Sequence, residues 1–236
     1  MSANEFFSKF LPSTQPVKSD YRDKWLQVNA QRDVHHDKYM EEIPFCDLQA
    51  FRQVLQQMPE QQLVHLSNSS VVRYAQLFRL YPSLQVYCNR GTSGIDGSSS
   101  TAVGAAVKAK FPTTLITGDV SFFYDSNALW NNYIPKSFRI IIINNQGGGI
   151  FRILPGAKET EHFSTFFETT HNLRANHLAE MYGFTYQAAT DKASLKDELL
   201  QFYAEDDQPK ILEIFTPREE NDQYLKNYFK VLLPKD

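Results

Sequence analysis

Two polar stretches in this sequence each follow an apolar, strand-like run: TGDVS at 117–121 and NNQGGG at 144–149. The chain between them can form one crossover helix and a returning strand, so a right-handed βαβ unit would bring Asp119 and Asn145 to one sheet edge. A carboxylate, an asparagine carbonyl and the backbone carbonyl of Gly147 are hard oxygen ligands, which suit Mg²⁺ completed by water and substrate phosphates. The pattern therefore predicts a magnesium site that also holds a diphosphate.

The same two stretches can contact phosphate directly. Glycines at 147–149 allow a phosphate to approach the backbone closely. The amides of Val120 and Ser121 would open a helix, whose positive dipole end favours an anion. Alternatively, Asp119 is an ordinary helix N-cap and NNQGGG is a plain turn. The joint occurrence of both stretches at the ends of neighbouring strands favours the site.

The elements that must position these residues alternate between strand and helix from about residue 62. Strand-like runs occur at 63–66, 85–88, 114–117, 139–143, 185–188 and 211–215, and helical runs at 71–80, 95–110, 121–133, 175–181, 194–203 and 219–229. The run RIIIINN does not alternate, as expected for a strand covered on both faces. We expect an α/β fold: a doubly wound, mainly parallel sheet of about six strands with helices on both faces, which binds ligands beyond the carboxyl ends of its strands.

Residues 1–60 differ from the rest of the chain and are interpreted as a linker with leading helices, ahead of a single domain at 61–236. A second leading helix is predicted after Asp47, where apolar residues recur at helical spacing.

Among the polar residues of the domain, Asp125 has no partner that the sequence identifies. The six histidines have no metal-ligand or triad-like spacing, so we interpret them as solvent-facing or core residues.

Composition excludes several classes of function. The chain has 236 residues, 42% of them hydrophobic and 22% charged, with a net charge of −3, as in an ordinary globular protein. No segment concentrates Lys and Arg, so we expect neither a nucleic acid nor a membrane surface as partner. The two cysteines, Cys46 and Cys88, form no disulfide framework and fit a reducing cytoplasm. There is no signal-peptide pattern and no apolar run of membrane-spanning length.

Four strings resemble a known family. The GD and the later NN are similar to the fingerprint of thiamine-diphosphate enzymes, although Val120 stands where many members have glycine. The strings that resemble more specific elements are NSSVVR at 68–73 (GNSxxVR, with Ser67 in place of the glycine), YCNRGTSGIDG at 87–97 (YxNRGxSGIDG), TGDVSFFYDSNAL from 117, and NNQGGGIFRILP at 144–155 (NNxGGxIFxxLP). Together they resemble the C-terminal, diphosphate-binding domain of the family of 2-succinyl-5-enolpyruvyl-6-hydroxy-3-cyclohexene-1-carboxylate (SEPHCHC) synthases of menaquinone biosynthesis.

This resemblance implies a thiamine-diphosphate-binding fold with thiamine diphosphate and Mg²⁺, or Mn²⁺, as cofactors. The metal would be held by Asp119, Asn145 and the carbonyl of Gly147. The cofactor would be contacted by these three and by Ser93, Ile95, Val120, Ser121, Gly148 and Ile150. Ile95 would fill the bend between the two cofactor rings, although core packing is the alternative for an isoleucine in this setting.

The implied reaction is the decarboxylation of 2-oxoglutarate, followed by addition of the succinyl-semialdehyde carbanion to isochorismate. Both substrates are carboxylates, which Arg73 and Arg90 can bind bidentately and to which Ser69 can donate. Ile150, Phe151 and Leu154 would form an apolar wall for the isochorismate ring. Surface or ion-paired arginines and ordinary apolar packing are the alternatives.

The resemblance also implies that the activating glutamate lies in a pyrimidine-binding N-terminal domain, of the same protein or of a neighbouring subunit in a homodimer or homotetramer. We therefore expect no catalytic residue in this chain, weak cofactor binding and no turnover by the chain alone. One alternative is another thiamine-diphosphate decarboxylase or carboligase, against which NRGTSGIDG argues. Another is a non-catalytic nucleotide-binding α/β module, against which the absence of GxGxxG and GxxxxGK(S/T) argues.

Overall fold

A computed structural model of the protein describes residues 1–204 and 207–233. Within these ranges, a sheet is formed by β1 (Leu63–Leu66), β2 (Gln85–Cys88), β3 (Thr113–Gly118), β4 (Arg139–Asn144), β5 (Thr185–Ala189) and β6 (Lys210–Phe215). The strand order is β2-β1-β3-β4-β6-β5, and all neighbouring strands are parallel. The predicted doubly wound parallel sheet is confirmed, and each predicted strand is present to within one residue at either end.

The central strand β4 shows why the sheet is covered on both faces. All of its residues are buried. Successive side chains of a strand point to opposite faces, so an unbroken isoleucine run supplies two cores at once. Ile141 and Ile143 belong to one hydrophobic cluster, whereas Ile140 and Ile142 belong to the other.

The helices form two layers around this sheet. Their bounds are α1 (Ala3–Phe10), α2 (Tyr21–Glu42), α3 (Asp47–Gln57), α4 (Ser70–Ala75), α5 (Ser98–Ala106), α6 (Asp119–Tyr124), α7 (Asn176–Tyr182), α8 (Lys192–Phe202) and α9 (Asn221–Leu232). One core packs residues of α3, α4, α8 and α9 against the sheet, and the other packs residues of α5, α6 and α7.

The leading segment divides into an exposed part and a buried part. Helix α1 has no buried residue, and most of α2 is exposed up to its last turn. In contrast, the apolar face predicted for α3 is buried in the main core, with Phe51 and Val54 at 1% and 0% exposure. The division between 1–60 and 61–236 stays a prediction, and α3 packs across it.

Several expectations about local structure were wrong in detail. The helical runs predicted at 71–80 and 121–133 are shorter in the structure, where α4 ends at Ala75 and α6 at Tyr124. Helix α5 begins at Ser98 rather than near residue 95, because Gly97 takes a left-handed conformation with φ +80° and leaves Ile95 in the preceding loop. Asp125 does have a partner: the backbone N–H and the hydroxyl of Ser100 donate to its two carboxylate oxygens over 2.7 and 2.5 Å. This pair joins α5 to the end of α6, a tertiary contact that no local pattern reveals.

No helix within the described part of the chain is both long and apolar enough to cross a membrane.

Candidate diphosphate and metal site

A cavity of about 250 Å³ lies beyond the carboxyl ends of β1, β3 and β4. Strands β1 and β3 are neighbours although β2 lies between them in the chain, so the cavity lies where the direction of winding reverses, as expected for ligand sites in such sheets. Its lining includes these residues predicted from the sequence: Ser69, Ile95, Asp119, Val120, Ser121, Asn145, Gly147, Gly148, Ile150 and Phe151.

Asp119 links the two polar stretches. It is the first residue of α6 rather than its N-cap, which is Gly118, and its side chain is buried. One carboxylate oxygen accepts the N–H of Val120 over 2.7 Å, and the other accepts the N–H of Gly147 over 3.0 Å. Each oxygen keeps a further lone pair. The carboxylate is therefore held rigidly at the cavity and can still accept a cation.

Asn145 is oriented by a residue that the sequence analysis did not select. Its Nδ2 donates to Oδ2 of Asp47 over 2.9 Å, which leaves its carbonyl oxygen for another partner. Asp47 is the first residue of α3, and its other oxygen accepts the hydroxyl of Thr216 over 2.5 Å. Burial raises the pKa of Asp47 to about 6, against the lowering effect of these hydrogen bonds.

The glycine loop after β4 is closely packed. Gly147 has φ +155°, and a Cβ there would lie 2.7 Å from the backbone oxygen of Glu168. The same oxygen accepts the N–H of Gly148 over 2.6 Å. The carbonyl of Gly147 accepts the N–H of Gly149 over 3.0 Å and, having two lone pairs, can still bind a metal. The sequence predicted that these glycines allow a phosphate to approach the backbone closely. In the structure, it is the backbone of Glu168 that approaches Gly147 closely.

Replacing Gly147 with alanine should destabilise the protein by about 3 kcal/mol, because backbone strain adds to a backbone clash. The matched control is Gly97→Ala, where φ is +80° but no atom lies within 4 Å of the added Cβ. The control should lose only about 1 kcal/mol for the left-handed conformation. Urea unfolding of both variants measures the difference, and equal losses would contradict the packing described for Gly147.

The loop that carries Ile95 is attached to α6. The hydroxyl of Ser121 donates to the carbonyl oxygen of Ile95 over 2.5 Å, which fixes two of the predicted cofactor residues relative to each other. Ser93 lies in the same loop with φ +60°, and its hydroxyl donates to the carbonyl of Arg90 over 3.3 Å. Ser93 does not line the cavity, so its contact with a cofactor stays a prediction.

Only some of the residues predicted to bind substrate line the cavity. Ser69, Ile150 and Phe151 line it, whereas Arg73, Arg90 and Leu154 do not. Arg73 is exposed and donates to the carbonyl of Ser69 over 2.6 Å. Ser69 itself takes a rare backbone conformation, φ +71° and ψ −129°, as residues at functional sites sometimes do.

Arg90 is also exposed and donates to Oδ1 of Asn68 over 3.0 Å, and Leu154 is 46% exposed. Neither Arg73 nor Arg90 forms an ion pair within the described ranges. The alternative of an ion-paired arginine thus finds no support there, whereas that of a surface arginine agrees with the exposure of both residues. The substrate roles stay predictions.

Three further residues of the site were missed from the sequence. Asn68 lies next to Ser69 in a quoted motif and donates from Nδ2 to the carbonyls of Asn89 and Gly94, both over 2.7 Å. Glu168 lines the cavity and is 1% exposed. His171 had no local signal, yet its Nε2 lies 3.4 Å from Oδ2 of Asp119.

The tautomer of His171 follows from its other contact. Its Nδ1 accepts the backbone N–H of Leu173 over 3.1 Å, so a neutral ring carries its proton on Nε2. That proton faces the carboxylate of Asp119, although Nε2 forms no hydrogen bond of good geometry with a described residue. In this tautomer Nε2 has no free lone pair, so it cannot bind a cation.

The donor set decides which kind of metal fits. Across the described ranges, no three His, Cys, Asp or Glu side chains lie together as a metal cluster. Asp119, Asn145 and Gly147 offer one carboxylate and two neutral oxygens, too few for a closed structural site. Mg²⁺ is usually bound by one or two carboxylates together with substrate phosphates. The residues present thus fit a metal that arrives with a diphosphate.

The comparisons with known proteins agree with this chemistry. Residues 68–214 match the family described as thiamine pyrophosphate enzyme, C-terminal TPP binding domain. The chain belongs to this family, in agreement with the resemblance seen in the sequence. A solved structure, benzoylformate decarboxylase from Polynucleobacter necessarius, has the same fold with a TM-score of 0.61 and 16% identity, over 76% of this chain and 34% of that one.

Within the family, the chain is similar to proteins named 2-succinyl-5-enolpyruvyl-6-hydroxy-3-cyclohexene-1-carboxylate synthase. The relative from Christiangramia forsetii is 55% identical over 87% of this chain, and that from Flavobacterium johnsoniae is 53% identical over 98%. The matches span 36% and 42% of these relatives' own lengths. The more specific resemblance to SEPHCHC synthases is therefore confirmed for the part of the relatives that this chain matches.

Proposed function

We propose that this chain is the part of a SEPHCHC synthase that holds the diphosphate of thiamine diphosphate and its Mg²⁺. The observation that carries the proposal is the 3.0 Å hydrogen bond between the Asp119 carboxylate and the N–H of Gly147, at the cavity that Asn145 also lines. This contact supports a site at which one carboxylate and two neutral oxygens would together bind a diphosphate-bound magnesium. Mn²⁺ prefers similar oxygen ligands and is the substitute we expect.

The residues of the chain bind and orient the cofactor. Asp119, Asn145 and the carbonyl of Gly147 hold the metal, and the small residues at 147–149 let a phosphate approach the backbone. Ile95, Ile143 and Ile150 line the cavity with apolar surface and exclude water. When bound, thiamine diphosphate supplies the electron sink for decarboxylation of a 2-oxo acid.

The substrates proposed are 2-oxoglutarate and isochorismate. Arg73 and Arg90 are exposed, and each donates a hydrogen bond to a residue that lines the cavity, Ser69 or Asn68. A change of side-chain rotamer would let either guanidinium bind a substrate carboxylate bidentately. Phe151 and Ile150 line the cavity and offer apolar contacts to the isochorismate ring, and the exposed Leu154 would add to this apolar wall.

The proposed partner is a pyrimidine-binding domain that supplies the activating glutamate, in a homodimer or homotetramer located in the cytoplasm. The matches to SEPHCHC synthases, which span about 40% of those relatives, support a further part of this kind. The chain alone is therefore expected to bind the cofactor weakly and to turn over no substrate.

The test is a chimera in which this chain replaces the matching part of the Flavobacterium johnsoniae relative. The chimera should release CO₂ from 2-oxoglutarate and consume isochorismate in the presence of thiamine diphosphate and Mg²⁺, and the chain alone should do neither. Pyruvate is the control substrate. A chimera that folds and decarboxylates pyruvate but not 2-oxoglutarate would favour another thiamine-diphosphate carboligase.

A further inference from the structure

A buried hydrogen-bond cluster connects helix α3 to the proposed metal site. Its centre is Asp47, which is 3% exposed and lines the cavity. The backbone N–H of Asp47 donates to Oδ1 of Asn221 over 2.8 Å, its Oδ1 accepts from Thr216 and its Oδ2 accepts from Asn145. Asp47, Thr216 and Asn221 all lie outside the matched residues 68–214. The cluster therefore joins the proposed metal site to segments on both sides of the matched residues.

The hydrogen bond to Asn145 has a chemical consequence. An asparagine amide can turn about its last bond and exchange its oxygen and nitrogen with almost no change of shape. Only the oxygen can bind a cation. An ionised carboxylate accepts hydrogen bonds and donates none, so Asp47 can pair with the NH₂ group of Asn145 but not with its oxygen. The other carboxylate oxygen accepts the Thr216 hydroxyl, and with or without that bond neither oxygen can donate to Asn145.

We propose that Asp47 is a positioning residue that holds Asn145 with its carbonyl oxygen turned toward the metal and its NH₂ group turned away. The inference rests on the proposed function, because it requires Asn145 to be a metal ligand. Outer-shell partners that orient a metal ligand typically change metal affinity by about 10–100-fold when they are replaced. Asp47 acts through Asn145 and needs no direct contact with the metal.

A purely structural role for Asp47 makes a different prediction. In that case Asp47 only attaches α3 to the end of β6, through the hydroxyl of Thr216, and to the start of α9, through its backbone N–H and Asn221. The backbone bond is kept in any variant of Asp47. Asp47→Asn keeps the size of the side chain but can donate as well as accept, so that Asn145 is free to turn. Thr216→Val removes a hydrogen bond of the same cluster without touching Asn145, and serves as the matched control.

The experiment measures Mn²⁺ binding to the 236-residue chain at a fixed, high concentration of thiamine diphosphate, from the electron paramagnetic resonance signal of free Mn²⁺. Thermal unfolding without ligands is measured for the same variants. Asp47→Asn should bind Mn²⁺ at least about tenfold more weakly than wild type. Thr216→Val should lose thermal stability but bind Mn²⁺ close to wild type.

A second variant keeps the test decisive if Asp47→Asn alone folds poorly. In Asp47→Asn/Asn145→Asp the acid and the amide are exchanged, so the hydrogen bond between the two positions can form while both oxygens at 145 are equivalent ligands. This variant should bind Mn²⁺ about as tightly as wild type. If the double variant folds but binds Mn²⁺ no better than Asp47→Asn, Asp47 does not act by orienting Asn145. The same conclusion holds if Asp47→Asn does not fold and the double variant binds Mn²⁺ clearly more weakly than wild type.

The remaining outcomes separate this inference from the proposed function. If wild type binds Mn²⁺ and Asp47→Asn binds it equally well, only the positioning role is overturned. The same holds if Asp47→Asn and Thr216→Val lose Mn²⁺ affinity in proportion to their loss of thermal stability. Where the chain alone binds Mn²⁺ too weakly to measure, the same variants are compared in the chimera. If neither the wild-type chain nor the chimera shows saturable, thiamine-diphosphate-dependent binding of Mn²⁺ at millimolar concentration, the proposed function fails and the positioning role with it.

Discussion

Asp119→Ala is expected to abolish magnesium-dependent binding of thiamine diphosphate. Asp119 provides the only carboxylate of the proposed ligand set. Without it only two neutral oxygens remain, and these compete poorly with water molecules for Mg²⁺. The loss of affinity should exceed the roughly 10–100-fold that outer-shell changes cost. The variant also removes the acceptor of the Gly147 N–H, so the glycine loop loses its attachment to the start of α6.

Calorimetric titration of thiamine diphosphate into the chain, with and without Mg²⁺, measures this effect. The matched control is Asp125→Ala, another buried aspartate beyond the same strand, which accepts hydrogen bonds from Ser100 and does not line the cavity. The control should lose stability and keep magnesium-dependent binding. Retention of that binding in Asp119→Ala would contradict the assignment of its carboxylate as a metal ligand. Loss of binding in both variants would attribute the effect to lost stability instead.

The sequence predicted those parts of the site that follow from chain connectivity. Asp119 and Asn145 each directly follow the last residue of a strand, and a parallel crossover between the two strands brings both residues to one edge of the sheet. Both do line one cavity. The isoleucine run of β4 likewise predicted burial on both faces, because a strand whose apolar residues do not alternate presents apolar side chains to both sides of the sheet.

What the sequence could not predict depends on contacts between distant segments. Asp47 belongs to a helix in the leading segment, and nothing local distinguishes it from an ordinary helix-start carboxylate until the fold places it 2.9 Å from Asn145. Side-chain direction was equally inaccessible. Arg73 follows a motif residue that lines the cavity, yet its guanidinium turns back to the carbonyl of Ser69 on its own helix. The resemblance supplied the identity of the family, whereas the physical pattern supplied the topology.

Glu168→Gln is expected to have the largest effect on stability, about 3 kcal/mol or more. The guanidinium of Arg152 forms two hydrogen bonds to the Glu168 carboxylate, one of them from Nη2 over 2.8 Å, and the two side chains are 15% and 1% exposed. This pairing raises the pKa of Arg152 above its usual value. Removing one partner of a buried ion pair leaves an uncompensated charge, which typically costs about 3–5 kcal/mol.

The pair also reaches the proposed cofactor site, and this decides how the variant should be measured. The backbone oxygen of Glu168 accepts the N–H of Gly148, so loss of the side-chain anchor should loosen the glycine loop and weaken thiamine-diphosphate binding together with stability.

Urea unfolding of Glu168→Gln, Arg152→Met and Arg152→Met/Glu168→Leu separates the effect of an unpaired charge from the effect of losing the pair. Because an apolar replacement of both partners is often neutral, the double variant should recover most of the lost stability. Glu5→Gln, in the exposed pair with Lys9, should cost less than about 1 kcal/mol. If the double variant is as unstable as the sum of the single changes, the pair is not coupled, and the loop must be held by the backbone of Glu168 alone.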